Sequence, residues 1–174
     1  MLGPAPVVDF DGTVARLEIP WDGLRAALGV ARIDDLWRED DPIRWEPVTA
    51  AELNAAARAR LVPETMDCLL EAESVAILTS NGEAAVRRFL RRYPTLESRV
   101  AVVVGRETLR GPKSDLARFT RGFDLCVASN VASRGDGPVV YAGDSAYELD
   151  FAKKLGATTF HVDELGSALR NTTT

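Results

Sequence analysis

Two aspartates stand two residues apart in Asp9-Phe10-Asp11-Gly12-Thr13, directly after the apolar pair Val7-Val8. Carboxylates at the C-terminal end of a buried strand lie where open α/β sheets bind their ligands. Gly12 lets the chain turn there, so the second carboxylate need not point away from the first. A strand closing in an Asp-Gly turn is also an ordinary feature, and this segment alone does not decide between the two. A second acidic edge shifts the balance. Gly143-Asp144-Ser145 follows the apolar run Val139 to Ala142, with Glu148 and Asp150 beyond it. If the two strands are neighbours, Asp9, Asp11 and Asp144 converge. Two bare carboxylates about 4 Å apart repel by roughly 4 kcal/mol at an effective dielectric near 20, so the cluster needs a cation or protons. An all-oxygen site without His or Cys suits Mg²⁺, which keeps several waters and leans on substrate phosphate.

Two further segments offer groups for an anion. Leu78-Thr79-Ser80-Asn81-Gly82 ends an apolar run and opens a helix, presenting hydroxyls and free backbone N–H groups. Ser80 and Glu83 also fit an S-x-x-E capping box, which would make the same residues a plain helix start. Gly111-Pro112-Lys113-Ser114 places a lysine in a loop just before a helix, where it serves either a phosphate or only the solvent. Ser145-Ala146-Tyr147-Glu148 is a second S-x-x-E, so Glu148 is read equally as a helix cap and as an outer partner of a metal. Asp150 reads as a solvated helix residue.

These groups need a frame. Val7 to Phe10, Val75 to Leu78, Val100 to Val104 and Val139 to Ala142 are short, apolar and rich in β-branched residues, and Thr158 to Val162 is a fifth run of the kind. Continuous apolarity is the habit of parallel strands covered on both faces. Between them lie amphipathic helices. Val86, Phe89, Leu90 and Tyr93 share one face with Arg87, Arg88, Arg91 and Arg92 on the other, read as a solvated surface rather than a nucleic-acid contact. Met66, Leu69 and Leu70 mark a helix after Pro63, and Ser145 to Leu155 another that ends at Gly156. Strands alternating with helices predict an α/β fold, a Rossmann-like parallel sheet flanked by helices.

The stretch 14–61 is too long for a bare loop in a compact domain. Trp21, Leu24 and Leu28 share a helix face, and Ala50 to Leu61 is alanine-rich, with breaks expected at Asp40-Asp41-Pro42 and Trp45-Glu46-Pro47. The chain's three tryptophans, Trp21, Trp37 and Trp45, all fall here. We read 14–61 as a small α-helical cap inserted into a core formed by 1–13 and 62–174. Arg16, Arg25, Trp37 and Arg44 are its candidates for selecting a substrate; the aromatics also suit a partner surface, a homodimer included.

The 174 residues suffice for one core, and 46% hydrophobic with 27% charged residues is an ordinary globular balance. A net charge of −5 argues against a dedicated nucleic-acid binder. No run approaches a membrane span, and no signal-like segment is visible, so a cytoplasmic location is expected. Cys68 and Cys126 are expected as buried hydrophobes without a disulfide, and His161 as a bystander. Segment 131–138, with Arg134-Gly135-Asp136, carries no motif that suggests a role, and an integrin-type reading of it is rejected. Asn171-Thr172-Thr173 is a sequon by pattern only.

Taken in chain order, the chemical segments resemble the haloacid dehalogenase superfamily. Its four motifs are matched by Asp9-Phe10-Asp11-Gly12-Thr13, by Thr79 after an apolar strand, by Lys113, and by Gly143-Asp144 with Glu148 four residues on. The likeness spans roughly Val7 to Val162, and the first and last motifs carry most of it. It implies a Rossmann-like core with a cap after the first strand. It also implies Asp9 as a nucleophile that forms an aspartyl-phosphate, Asp11 as general acid and base, Thr79 and Lys113 on phosphoryl oxygens with Ser80 and Asn81 beside them, and Mg²⁺ on Asp9, Asp144 and the main-chain carbonyl of Asp11. An aspartate two after the nucleophile is implied for phosphatases and phosphomutases and not for dehalogenases. The expectation is a Mg²⁺-dependent phosphatase of a small phosphorylated metabolite. The alternatives are a sugar phosphomutase or a non-catalytic binding protein on the same core. Glu148 stands where the pattern has aspartate, which lengthens its reach toward metal waters.

Overall fold

The computed structural model describes residues 2–3, 5–39 and 41–165, with only the backbone of Arg134. Asp40 and the Asn171 sequon lie outside them. In chain order the elements are strands β1 (Val7–Val8) and β2 (Ala15–Arg16), helix α1 (Trp21–Leu28), 3-10 helices Ile33–Arg38 and Pro42–Trp45, helix α2 (Glu46–Arg58), strand β3 (Arg60–Leu61), helix α3 (Pro63–Glu71), strand β4 (Val75–Leu78), helices α4 (Glu83–Leu90) and α5 (Pro94–Glu97), strand β5 (Val100–Val104), helices α6 (Arg106–Leu109), α7 (Leu116–Ser129) and α8 (Val131–Arg134), strand β6 (Val140–Gly143), helix α9 (Ala146–Lys154) and strand β7 (Thr158–His161).

The main sheet runs β5-β4-β1-β6-β7, and every pairing in it is parallel. The α/β fold read from the apolar runs is therefore present, with β1 at its centre. Alternating side chains divide the interior in two. Val8, Val75, Ile77, Val103 and Ala142 face one core with α2, α3 and α4, where Phe89 and Leu69 are fully buried. Val7, Ala76, Leu78, Val104 and Tyr141 face the other, with Phe119, Phe123 and Cys126 of α7 and Ala152 of α9. The three inner strands are buried throughout, while β5 and β7 at the sheet edges are only partly covered. Boundaries move slightly: the β1 ladder ends with the Asp9 N–H donating to Ala142 O at 2.9 Å, and β6 begins one residue later than expected. No helix among the described residues is long and apolar enough to cross a membrane.

The segment read as an insertion opens and closes on a two-stranded antiparallel stem in which Ala15 pairs with Leu61 and Arg16 with Arg60. Two expected breaks prove to be helix starts. Asp41 Oδ1 accepts from Ile43 N at 3.0 Å and caps the second 3-10 helix, with Pro42 in its first turn. Pro47 likewise sits in the first turn of α2, where a missing N–H costs no intrahelical bond. The alanine-rich helix thus begins at Glu46 rather than after Pro47, and it yields to β3 before Leu61. Its C-terminal half leaves the cap: Ala55 and Ala56, with Ala59 just beyond, are buried, and Arg92 of the core donates to Ala56 O at 3.1 Å and Ala59 O at 2.9 Å. Segment 131–138 opens with the short helix α8. Arg87 and Arg88 are solvated, as is Asp150.

Candidate active site

Asp9 follows β1 at the middle of the sheet, between the ends of β4 and β6, and is 5% exposed. Lys113, 3% exposed, reaches it from the loop before α7. That loop is held by Asp115 N donating to Pro112 O at 3.0 Å and by Asp115 Oδ1 accepting from Arg118 N at 2.9 Å, a helix cap. Lys113 Nζ donates to Asp9 Oδ1, donates to Leu78 O at 3.2 Å, and lies 2.8 Å from Glu148 Oε1. The surface-lysine reading of Lys113 is therefore set aside.

The helix-cap reading of Glu148 is set aside too. Ser145 occupies the N-cap of α9 but makes no side-chain cap bond. Glu148 instead turns inward, 2% exposed, where it accepts from Tyr141 Oη and from Tyr147 Oη, the latter at 2.9 Å. Burial, then the Glu148 charge, holds both phenols above their ordinary value, so they stay neutral donors.

Asp9, Glu148 and Lys113 together carry two carboxylates against one ammonium. Asp9 is pushed up to about 7, by burial first; Lys113 opposes this, and Glu148 and Asp144 add to it. For Lys113 burial acts downward, but Asp9 and Glu148 outweigh it and hold the ammonium above its ordinary value. Lys113, with three oxygen partners, stays charged, and the surplus negative charge falls on the carboxylates.

Asp11 and Asp144 complete the acidic edge. Asp11 is half-buried, and its Oδ1 accepts from Leu17 N at 2.8 Å. Burial first, then the Asp144 charge, raises its pKa, while the Leu17 N–H pulls the other way. Asp144 is exposed and abuts Gly12: a Cβ built there, at φ +85°, would come within 2.1 Å of Asp144 Oδ2. Gly12 is required both for its backbone conformation and for that approach. Among the described residues no three His, Cys, Asp or Glu side chains form a ready metal cage. The resemblance set out above names the Asp9 and Asp144 carboxylates and the Asp11 carbonyl as cation ligands, all of them oxygen donors of the kind a hard cation takes.

The segment after β4 departs from expectation. Thr79 Oγ1 donates to Asn81 Oδ1 at 2.9 Å and accepts from Asn81 N at 3.1 Å, so a phosphoryl oxygen would compete for that hydrogen. Backbone N–H groups expected to be free are taken: Gly82 N donates to Glu52 Oε2 at 3.0 Å, and Glu83 N to Glu107 Oε2 at 2.9 Å. Asn81 Nδ2 also turns to Glu52, at 3.4 Å, and α4 starts without a side-chain cap. Ser80 alone of this group is exposed, on the cavity wall.

A cavity of about 440 Å³ joins these groups to the cap. Asp9, Asp11, Lys113 and Asp144 lie at its floor; Trp37 and Arg25 line it from the cap, whereas Arg16 and Arg44 lie outside it. Arg44 is spent on Leu28 O and Glu39, and Arg16 is exposed on β2. His161 Nε2 stands 3.1 Å from Asp144 O, and its Nδ1 accepts from Asp163 N at 3.3 Å, outside the cavity. Sequence reasoning missed Glu52, Arg106, Tyr141 and Tyr147. Nothing local marks Glu52, an acid among the alanines of α2, until Arg106 is seen beside it.

No family model matches the sequence, and no curated protein matches it. Solved structures do. The L-2-haloacid dehalogenase of Xanthobacter autotrophicus superposes with a TM-score of 0.57 at 15% identity, over 90% of this chain and 76% of that one. A HAD phosphatase from Thermococcus onnurineus gives 0.54 at 17% identity, over 89% and 84%. A HAD-superfamily hydrolase, subfamily IA, from Geobacter sulfurreducens gives 0.53 at 15% identity, over 89% and 84%. At such identities the likeness is one of fold: this chain has the haloacid-dehalogenase-like α/β fold.

Proposed function

We propose that this chain is a phosphohydrolase that cleaves a small phosphate monoester through Asp9. The observation that carries the reading is Asp9 held by Lys113 at the floor of a capped cavity that Asp11 and Asp144 also line. Structural neighbours include dehalogenases as well as a phosphatase; Asp11, two residues beyond the nucleophile, favours phosphate-ester chemistry by the resemblance set out above.

In this mechanism an Asp9 carboxylate oxygen attacks phosphorus, and the bond from phosphorus to the ester oxygen breaks. Asp11 gives its proton to the departing oxygen, and its raised pKa suits it to carry one. Asp11 then takes a proton from water, whose oxygen attacks phosphorus; the bond to Asp9 breaks and phosphate leaves. Lys113 orients the Asp9 carboxylate and offsets its charge. Mg²⁺, held by Asp9, Asp144 and the Asp11 carbonyl, would supply the positive charge that the phosphoryl oxygens require. Ser80 and Lys113 are the donors nearest to hand for those oxygens, with Thr79 available if its hydrogen leaves Asn81.

Asp9→Asn is expected to abolish Mg²⁺-dependent release of phosphate from 4-nitrophenyl phosphate while circular dichroism and thermal unfolding stay those of a folded chain. Full activity in that variant would overturn the mechanism.

A further inference from the structure

We propose that the cap selects a phosphate ester whose alcohol is uncharged and presents a flat aromatic face. The inference rests on the phosphohydrolase reading for where phosphate sits, and on the cap's own side chains for the rest. Trp21, Trp37 and Trp45, all the tryptophans of the chain, line one cavity, and Tyr147 joins them from the core. Each keeps part of its surface exposed. So many large rings left partly wet on one concave wall mark a surface that waits for an apolar partner. The Trp37 and Trp45 rings lie 4.7 Å apart and inclined at 49°, and the Arg106 guanidinium lies 4.7 Å from the Trp45 centroid, so this wall already packs planar groups against its rings. The cavity, about 440 Å³, is in the range that takes a small ring-bearing ligand.

Charge argues the same way. Arg25 pairs with Asp22, Arg32 lies 3.6 Å from Asp34, Arg106 is bonded twice to Glu52, and Lys113 is shared by Asp9 and Glu148. Each cationic side chain lining the cavity, among the described residues, already has a carboxylate. A substrate with a carboxylate or second phosphate on its alcohol would have to compete with those partners and would also face Asp34, which lines the same cavity. A neutral ring meets no such competition.

Binding of non-hydrolysable probes to the full chain, with Mg²⁺ present and tryptophan fluorescence as the signal, tests this without turnover. Benzylphosphonate should bind about tenfold more tightly than methylphosphonate, a difference in keeping with ring stacking. 3-Phosphonopropionate, which carries a carboxylate instead of the ring, should bind no more tightly than methylphosphonate. Equal binding of benzyl and methyl probes, or tightest binding of the carboxylate, would overturn the proposal. Trp37→Leu should shrink the benzyl preference to about twofold or less, and an unchanged preference would count against the assignment. Hydrolysis is scored apart, with benzyl phosphate and glycerol phosphate. Selective binding of the ring without phosphate release would retire the phosphohydrolase reading and leave the pocket standing; hydrolysis that prefers glycerol phosphate would do the reverse.

Discussion

Arg106 donates to both carboxylate oxygens of Glu52, at 2.8 and 2.9 Å, across 54 residues of chain. Glu52 lies on α2 and Arg106 opens α6, so the pair spans the seam between the insertion and the sheet's active edge. Thr49 Oγ1 takes a further Arg106 hydrogen at 2.9 Å, and Glu52 also holds Gly82 N. Burial raises the Glu52 pKa, with Arg106 opposing.

Arg106→Ala should therefore leave a buried carboxylate without its partner and cost roughly 3–5 kcal/mol in urea unfolding at neutral pH. The sign of the pH dependence follows. A carboxyl whose folded pKa lies above its unfolded value favours the folded state at low pH and loses that contribution as pH rises through the folded value. Removing the arginine that opposes the rise enlarges it, so the gap between variant and parent should narrow as pH falls toward the ordinary 4.5. A gap that widens on acidification would show that Glu52 is not the group exposed by the mutation.

Gly12→Ala should depress activity more than stability. The added Cβ would fall within 2.1 Å of Asp144 Oδ2 in a backbone at φ +85°. Asp144 is exposed and can swing aside, so the fold should lose only about 1–2 kcal/mol from the left-handed backbone. Displacing a candidate cation ligand should lower phosphate release by about tenfold or more. Parallel activity and thermal-unfolding measurements separate the two effects.

Two helix starts provide a matched pair. Ser145→Ala should change urea stability by less than about 0.5 kcal/mol, because its hydroxyl caps nothing, whereas Asp115→Ala should cost about 1 kcal/mol. Equal losses at both positions would restore the capping box at the start of α9.

Both thiols should resist modification. Cys68 and Cys126 are buried and unpaired, and burial pushes Cys126 up to about 12. A thiol-disulfide reagent is expected to react slowly or not at all with the native chain and to count two thiols after unfolding in guanidinium.

The sheet was legible because β-branched runs such as Val75 to Leu78 and Val100 to Val104 have few other uses. The nucleophile candidate was legible because Asp9 follows such a run directly. The partners of Lys113 were not, since Asp9 lies 104 residues back and Leu78 35 residues back, contacts that local spacing cannot encode. Both S-x-x-E patterns misled for one reason: Glu83 and Glu148 found better partners in three dimensions. Glu83 Oε1 accepts from Thr108 and from Gly105 N, and Glu148 meets Lys113 and two tyrosines. A capping motif states what a side chain can reach locally, and tertiary charges outbid it.

The two ends of the insertion are not alike. Its leading part brings Trp21, Trp37 and Trp45 onto the cavity wall, while α2 is rooted in the sheet's own core through Ala55, Ala56 and Arg92. Rocking of the whole insertion about the β2–β3 stem would tear α2 out of that core. Held by Arg106 at Thr49 and Glu52 and by Arg92 at Ala56, α2 is a braced wall of the cavity, which Glu52 itself lines.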